Sequence, residues 1–86
     1  MDEYQILFAR SARKELEALP TQLGHRVLRR IETLAANPRP SGCRKLAGSE
    51  NLWRLRIGDH RVVYAIDDAT RLVDVIAIRH RRDAYR

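Results

Sequence analysis

The sequence predicts an α+β domain in which an antiparallel β-sheet of about four strands carries an N-terminal helical hairpin on one face. Apolar residues recur every three or four positions between positions 12 and 35, which is typical of amphipathic helices. Before and after that stretch they recur at every second position, as in half-buried strands. The resulting order of one strand, two helices and then further strands favours a sheet with helices on one side. The 86 residues fit a single domain spanning residues 1–86.

The chain is expected to begin with a strand and a short helix. Tyr4 to Phe8 alternates with the period of a strand, placing Tyr4 and Phe8 on one face. Ser11 is a suitable N-cap for a helix from Ala12 to Leu19, because its hydroxyl can accept from a free backbone N–H group of the first turn. Pro20 ends this helix.

A second helix is expected after Thr21, which is a suitable N-cap. Its apolar positions are four, four and three residues apart, so they form one stripe along the helix. These positions are Leu23, Val27, Ile31 and Leu34. Asn37-Pro38 ends the helix, because proline disfavours helical geometry in the residue before it. The short connection between the two helices predicts an antiparallel hairpin.

The second half of the chain is expected to form the rest of the sheet, after a loop at residues 39–42. The predicted strands are residues 44–46, 52–57, 60–67 and 72–78. The last of these is the most apolar, and we expect it at the centre of the sheet. Residues 80–86 are predicted to form a short C-terminal tail or one helical turn.

Gly58-Asp59 predicts a two-residue turn between two of these strands. In the resulting register Arg56 lies directly opposite Arg61, and Arg54 shares their face, while the alternate apolar residues face the helices. Like charges directly opposite each other destabilise a sheet, and a bound phosphate would offset that cost. The alternative is that the long arginine stems cover the sheet face and place their charged ends in water.

Charge favours an anionic partner. The formal net charge is +6, and arginine supplies 15 of the 17 basic residues. Residues 39–86 hold eleven bases and six acids, so most of the excess positive charge lies in the second half. Arginine stays protonated and binds phosphate through two parallel hydrogen bonds. A GC-rich genome is the alternative reason for so many arginines.

Several classes of protein are excluded by the sequence. No apolar run of about 18 residues is present, which excludes a transmembrane helix. The first residues lack the pattern of a signal peptide, and the single Cys43 cannot form an internal disulfide, so we expect a cytoplasmic protein. No metal-ligand spacing, glycine-rich phosphate loop or nucleophilic triad is visible, so no cofactor and no metal are expected.

The chain resembles the RelE/ParE superfamily of toxins from bacterial type II toxin–antitoxin systems. The resemblance covers nearly the whole chain and rests on the order and spacing of several short segments. The strongest are residues 52–64 and 80–86, and the others are Tyr4–Phe8, Leu19-Pro20, Asn37-Pro38 and Lys45–Gly48. The order of strand, two helices and further strands is the one that this superfamily implies.

Resemblance to the RelE branch implies a ribosome-dependent endoribonuclease, or mRNA interferase. Such an enzyme inhibits translation by cutting messenger RNA in the ribosomal A site. It needs no metal, because the 2′-hydroxyl of the RNA attacks the adjacent phosphate. The implied partners are the 70S ribosome, messenger RNA and a cognate RelB-like antitoxin that is expected to be acidic.

The resemblance also implies which residues act on the RNA. The candidate catalytic residues are Arg54, Arg56, Arg61, His80, Arg81 and Tyr85. Better-known members carry lysines where this chain has Arg54 and Arg56, and an arginine is a poor general base because it does not deprotonate. Proton transfer would then fall to His80, to Tyr85, to water or to the ribosome. His80 is the acid–base candidate, and Tyr85 is expected to stack on or position a nucleotide.

Two other functions remain open at this point. A ParE-like toxin shares the expected fold but binds DNA gyrase and is not itself a nuclease. A non-catalytic RNA-binding module would also carry a basic sheet, although the predicted register turns Trp53 and Tyr64 toward the core and leaves no aromatic pair for stacking on bases.

Overall fold

The computed structural model describes residues 3–82, and it confirms an α+β fold with two helices on one face of a sheet. The elements are β1 (Gln5–Phe8), α1 (Arg10–Glu17), α2 (Thr21–Glu32) with a 3-10 turn after it (Thr33–Ala35), β2 (Arg44–Lys45), β3 (Leu52–Ile57), β4 (His60–Asp67) and β5 (Leu72–His80). Within the described residues no helix is long and apolar enough to cross a membrane.

The sheet has five strands in the order β1-β5-β4-β3-β2. All neighbouring pairs are antiparallel except β1 and β5, which are parallel. The sheet therefore has five strands where about four were expected, and β1 is parallel to its neighbour where an antiparallel sheet was expected. Two helices and three strands separate β1 from β5 in the chain, so no hairpin turn dictates their relative direction.

The sheet centre differs from the prediction. β4 is the middle strand, and β5 lies between β4 and β1. β5 is apolar because strands flank it on both sides and the helices cover it. Any interior strand is buried in this way, whether or not it is the middle one. β5 also extends to His80, two residues beyond the predicted end.

The hydrophobic core lies between the helices and one face of the sheet. Ala12 of α1 and Val27 and Ile31 of α2 are fully buried, and they belong to one cluster with Leu55 of β3 and Val75 of β5. The same apolar stripe that predicted the second helix therefore supplies its buried side. The opposite face of the sheet carries no helix from residues 3–82, and arginines of β3 and β4 alternate onto it.

The helix starts differ from the predicted caps. α1 begins at Arg10, before Ser11, and its N-cap residue is Ala9. Ser11 instead donates through Oγ to the backbone oxygen of Ile76, at 3.5 Å. α2 begins at Thr21 itself, with no side-chain cap from the residue before it. The hydroxyl of Ser11 therefore serves a contact between α1 and β5 rather than the end of its own helix.

α1 covers the part of β5 that β1 leaves without a neighbour. β1 pairs with β5 only as far as Val75. Beyond that point the Glu15 carboxylate accepts the backbone N–H of Ile78 at 2.9 Å and pairs with Arg79 Nε at 2.7 Å. Unpaired backbone groups at a sheet edge cost stability and invite pairing with other chains. Here the Glu15 carboxylate of α1 accepts one such N–H group.

A polar cluster fastens the loop before β2 to the rest of the fold. Arg39 donates from both terminal nitrogens to the Asp68 carboxylate, at 2.8 and 3.2 Å, and Tyr4 donates to the same group at 2.6 Å. The Arg39 guanidinium also lies over the Trp53 ring, 5.0 Å from its centre. The buried Tyr64 also holds this loop in place, because its hydroxyl donates to the backbone oxygen of Pro38 at 2.8 Å.

Candidate phosphate-binding face

Five arginines occupy the open side of the sheet, and we call them the arginine face. They lie on four neighbouring strands, and they are Arg44, Arg54, Arg56, Arg61 and Arg79. Alternation places all five on the side opposite the buried apolar residues. The arginine face therefore combines sheet rigidity with a concentration of positive charge that no single segment of the chain supplies.

The predicted hairpin register is confirmed. Arg56 stands opposite Arg61, Arg54 opposite Val63, and Trp53 opposite Tyr64. Gly58 has a positive φ of 59°, whereas the φ of Asp59 is not positive. A positive φ at the first turn position is the pattern of a type II′ turn, whose twist suits the strands that it joins.

The arginine face holds a row of three arginines across three strands. Arg61 of β4 lies directly opposite Arg56 of β3 on one side and Arg79 of β5 on the other. Residues opposite each other in a sheet have Cα atoms about 5 Å apart, so the three stems run side by side. Arg61 is only 7% exposed, whereas Arg56 and Arg79 are exposed. The middle guanidinium is therefore the most desolvated of the row, where charge acts most strongly.

Sequence reasoning did not include Arg79 and Arg44 among the site residues. Arg79 reaches the arginine face because β5 has a bulge at Ile76: Val63 pairs with Ala77, but Tyr64 pairs with Val75. Arg44 lies opposite Arg54 because β2 and β3 pair around the turn at Gly48. Gly48 could have predicted the position of Arg44. A turn near the midpoint between Arg44 and Arg54 brings these two residues opposite each other.

Arg81 lies at the end of β5, next to the hairpin turn. Its backbone N–H donates to the Asp59 oxygen at 2.7 Å, which continues the β4–β5 ladder by one more bond. Asp59, His80, Arg81 and Arg82 line a cleft of about 630 Å³ at this corner of the sheet. Arg81 is exposed, so its side chain can approach a ligand held on the arginine face.

His80 does not lie on the arginine face. It stands opposite His60 in the β4–β5 ladder, and the two rings make an edge-to-face contact with centres 5.1 Å apart. Since Arg61 follows His60 in β4, the histidines lie on the other side of the sheet from Arg61. The His80 Nδ1 atom accepts the backbone N–H of Arg82 at 3.2 Å, which leaves Nε2 to carry the proton of the neutral ring.

The candidate residues are thus only partly brought together. Arg54, Arg56 and Arg61 share one face, Arg81 adjoins it at the corner, and His80 reaches the same corner from the other side. Tyr85 lies outside the described residues. Within residues 3–82, no three His, Cys, Asp or Glu side chains come together as a metal site would require.

Comparison with known proteins gives concordant matches. Residues 6–85 match the family described as ParE toxin of type II toxin-antitoxin system, parDE. The chain is 33% identical to Toxin RelE of Mycobacterium tuberculosis over 84 residues, which is 96% of this chain and 87% of that protein.

Solved structures match over nearly the whole chain as well. One is the archaeal RelE-RelB complex from Pyrococcus horikoshii, with a TM-score of 0.82, 27% identity, and coverage of 94% of this chain and 97% of that chain. Another is the RelBE2 toxin-antitoxin complex from Mycobacterium tuberculosis, with a TM-score of 0.80, 25% identity, and coverage of 91% and 98% respectively.

Proposed function

Because this chain belongs to the ParE toxin family of type II toxin–antitoxin systems, and is RelE-like within it, we propose that it inhibits translation as a ribosome-dependent endoribonuclease. The observation that carries the proposal is the row of Arg56, Arg61 and Arg79 across three strands, in which Arg79 also pairs with Glu15. A single sheet face with this much arginine is suited to an RNA phosphate backbone. The 33% identity to a RelE toxin supports the nuclease branch.

The proposed reaction uses the RNA as its own nucleophile and no metal. The 2′-hydroxyl oxygen forms a bond to the adjacent phosphorus, and the bond from phosphorus to the 5′ oxygen breaks. The 2′-hydroxyl gives up a proton to a base, and the leaving 5′ oxygen receives one. The products are a 2′,3′-cyclic phosphate and a 5′-hydroxyl, so atoms and charges balance without another reactant.

In this proposal the arginines act by electrostatics. Arg61 and Arg81 stabilise the extra negative charge on the phosphorane-like transition state, and burial strengthens the effect at Arg61. Arg54 and Arg56 hold the neighbouring backbone so that the 2′-hydroxyl lies in line with the leaving oxygen.

Proton transfer is proposed for His80. Its ring is off the arginine face, so it acts at the β5 corner, where it lines one cleft with Arg81. Tyr85 is proposed to stack on or position the substrate nucleotide.

The proposed partners follow from the family and the charge. The chain has an antitoxin partner, as the RelB-containing complexes of its relatives support. We propose that this antitoxin is RelB-like and acidic, and that it blocks access to the arginine face. The proposed targets are the 70S ribosome and messenger RNA, which would place the single toxin domain in the cytoplasm.

Primer extension on messenger RNA from a translating extract tests the proposal. Purified protein is added with and without ribosomes, beside the Arg61→Ala variant and an Arg13→Ala control that removes the same charge from an exposed position of α1. Breaks within codons that need ribosomes, persist in the control and vanish with Arg61→Ala are expected. Intact messenger RNA with wild-type protein would contradict the nuclease function.

A ParE-like inhibitor of DNA gyrase is the second candidate, and the ParE description of the matching family favours it. In that case the arginine face would be a protein-binding surface without chemistry. Inhibition of supercoiling by purified gyrase, together with intact messenger RNA in the extract, would support this function over the first.

A further inference from the structure

We propose that the bound RNA continues past the arginine face, across the free edge of β3, and that Arg30 of α2 and Arg44 of β2 hold its phosphates there. The inference rests on the proposed RNA substrate. It adds to that substrate a second backbone-binding segment outside the reacting nucleotides.

The edge of β3 is open over half of its length. β2 pairs only with Trp53 and Arg54, so within residues 3–82 no strand lies beside residues 55–57 on that side. A cleft of about 690 Å³ runs along this free edge. Four arginines line the cleft, namely Arg30, Arg44, Arg54 and Arg56, and the loop residues Ser41 and Gly42 form part of its wall.

Arg30 joins this cleft to a second basic surface on α2. Arg30 also lines a cleft of about 390 Å³ with His25, Arg26 and Arg29 on the exposed side of the helix. Arg26 and Arg30 are four residues apart, so they lie about 6 Å apart along the helix axis on one side. The Arg26 guanidinium also reaches the hairpin turn, with Nη1 3.9 Å from the position that a Cβ would take on Gly58. Positive charge therefore runs without a break from the sheet to α2.

Arg30 and Arg44 differ from the arginines whose charge is used inside the protein. Arg39 and Arg79 are paired with Asp68 and Glu15, at 2.8 and 2.7 Å. For the part of the chain that the structure describes, no carboxylate forms such a pair with Arg30 or Arg44. Both side chains are exposed, so their guanidinium groups are available to an anion from solution.

The lining of the cleft favours a phosphate backbone over a protein segment. Protein partners anchor through aromatic and apolar side chains in desolvated pockets. Among the described lining residues the apolar side chain belongs to Leu55, which is 1% exposed and so presents its backbone rather than its side chain. Among residues 3–82, the lining also contains no aromatic ring on which a base could stack. Contacts here would bind phosphates without reading sequence.

Oligonucleotides of different length test this inference. The probes are fully 2′-O-methylated RNAs of 3 and 12 nucleotides, which lack the attacking hydroxyl and cannot be cleaved. Their affinity is measured by fluorescence anisotropy across a salt series for wild type, Arg30→Ala, Arg44→Ala and the Arg13→Ala control. Unchanged thermal unfolding of these exposed-site variants shows that the fold is retained.

The expected result separates the two lengths. Arg30→Ala and Arg44→Ala each lower the affinity for the 12-mer several-fold. Each also reduces the slope of log affinity against log salt by about 0.7, which corresponds to one lost phosphate contact. The trinucleotide retains wild-type affinity in both variants and loses it in Arg56→Ala. The Arg13→Ala control leaves both slopes unchanged.

Four outcomes would overturn the inference. Equal losses of 12-mer affinity in Arg30→Ala and Arg13→Ala would show that the loss comes from net charge and not from a specific contact. Tighter binding of a polyglutamate 12-mer than of the RNA 12-mer, lost in the same variants, would assign the cleft to an acidic protein segment. Wild-type affinity of both variants for the 12-mer, with Arg56→Ala still defective, would remove the edge site but keep the proposed function. Failure of wild-type protein to bind either RNA would also remove the edge site, and primer extension with ribosomes would then decide the proposed function separately.

Discussion

Arg56 and Arg61 stand directly opposite each other across β3 and β4, although both carry a full positive charge. Like charges in this position destabilise a sheet by several tenths of a kcal/mol. A double-mutant cycle of Arg56→Gln and Arg61→Gln, followed by urea unfolding, is expected to give a repulsive coupling of about 0.5 kcal/mol in the free protein. Saturating 2′-O-methylated RNA is expected to remove that repulsion. An attractive coupling in the free protein would show that the pair serves stability instead.

Arg61 and Arg81 are expected to be essential for toxicity but not for folding or antitoxin capture. Loss of one guanidinium at the transition-state phosphate costs about 3–4 kcal/mol, or at least a hundredfold in rate. Growth arrest after induction is the measurement, with co-purification of the antitoxin as the control for fold. Full toxicity of both Arg61→Ala and Arg81→Ala would contradict the nuclease assignment.

The Asp68 cluster predicts a loss of stability in acid. Hydrogen bonds from Arg39, and then from Tyr4, lower the pKa of Asp68 to about 2 from its ordinary value of 3.8. A carboxyl whose pKa is lower in the folded state stabilises that state at higher pH, and the contribution is lost as pH falls from about 4 toward 2. Urea midpoints across this range are expected to fall for wild type.

Asp68→Asn isolates the contribution of that cluster to the acid transition. The variant starts at a lower midpoint near neutral pH and loses less between pH 4 and pH 2, because it has no carboxylate to protonate. Asp74→Asn, on an exposed strand position, is the matched control. Identical pH profiles for wild type and Asp68→Asn would exclude the cluster as a source of acid sensitivity.

Glu15 is expected to stabilise the fold through the edge of β5. Glu15→Ala removes the acceptor for the Ile78 N–H group and the partner of Arg79, at a cost of about 2 kcal/mol. Glu15→Gln retains an oxygen for the backbone bond and is expected to lose about half as much. Urea unfolding compares both with Glu17→Ala, an exposed position on the same helix. Equal costs for Glu15→Ala and Glu17→Ala would show that the edge contact contributes nothing.

Alanine substitutions at two glycines are expected to change the stability of the fold in opposite directions. Gly58→Ala places a side chain at a φ of 59° and is expected to destabilise by about 1 kcal/mol, because L-residues avoid that region. Gly24→Ala lies inside α2, where a Cβ would meet Leu16 and Leu19 at ordinary contact distances of 3.7 and 3.9 Å. It is expected to stabilise by about 0.5–1 kcal/mol. The same sign for both, measured by thermal unfolding, would contradict this account.

Features that depend on short stretches of chain could be predicted from the amino-acid sequence. The helix stripe ending at Leu34 and the register around Gly58 were both predicted and both confirmed. A two-residue turn fixes the pairing of its own strands, so the residue pattern alone was enough to place Arg54, Arg56 and Arg61 on one face.

Features that depend on segments far apart in the chain were decided by tertiary packing. The bulge at Ile76 shifts the β4–β5 register by one residue, and continuing the register of Tyr64 and Val75 without it would place Ile78 opposite Arg61. With the bulge, Arg79 joins the arginine face, Ile78 enters the core and His80 meets His60 on the other side. Because side chains alternate with a period of two, one extra residue decides the face of every residue beyond it, and no local pattern encodes that choice.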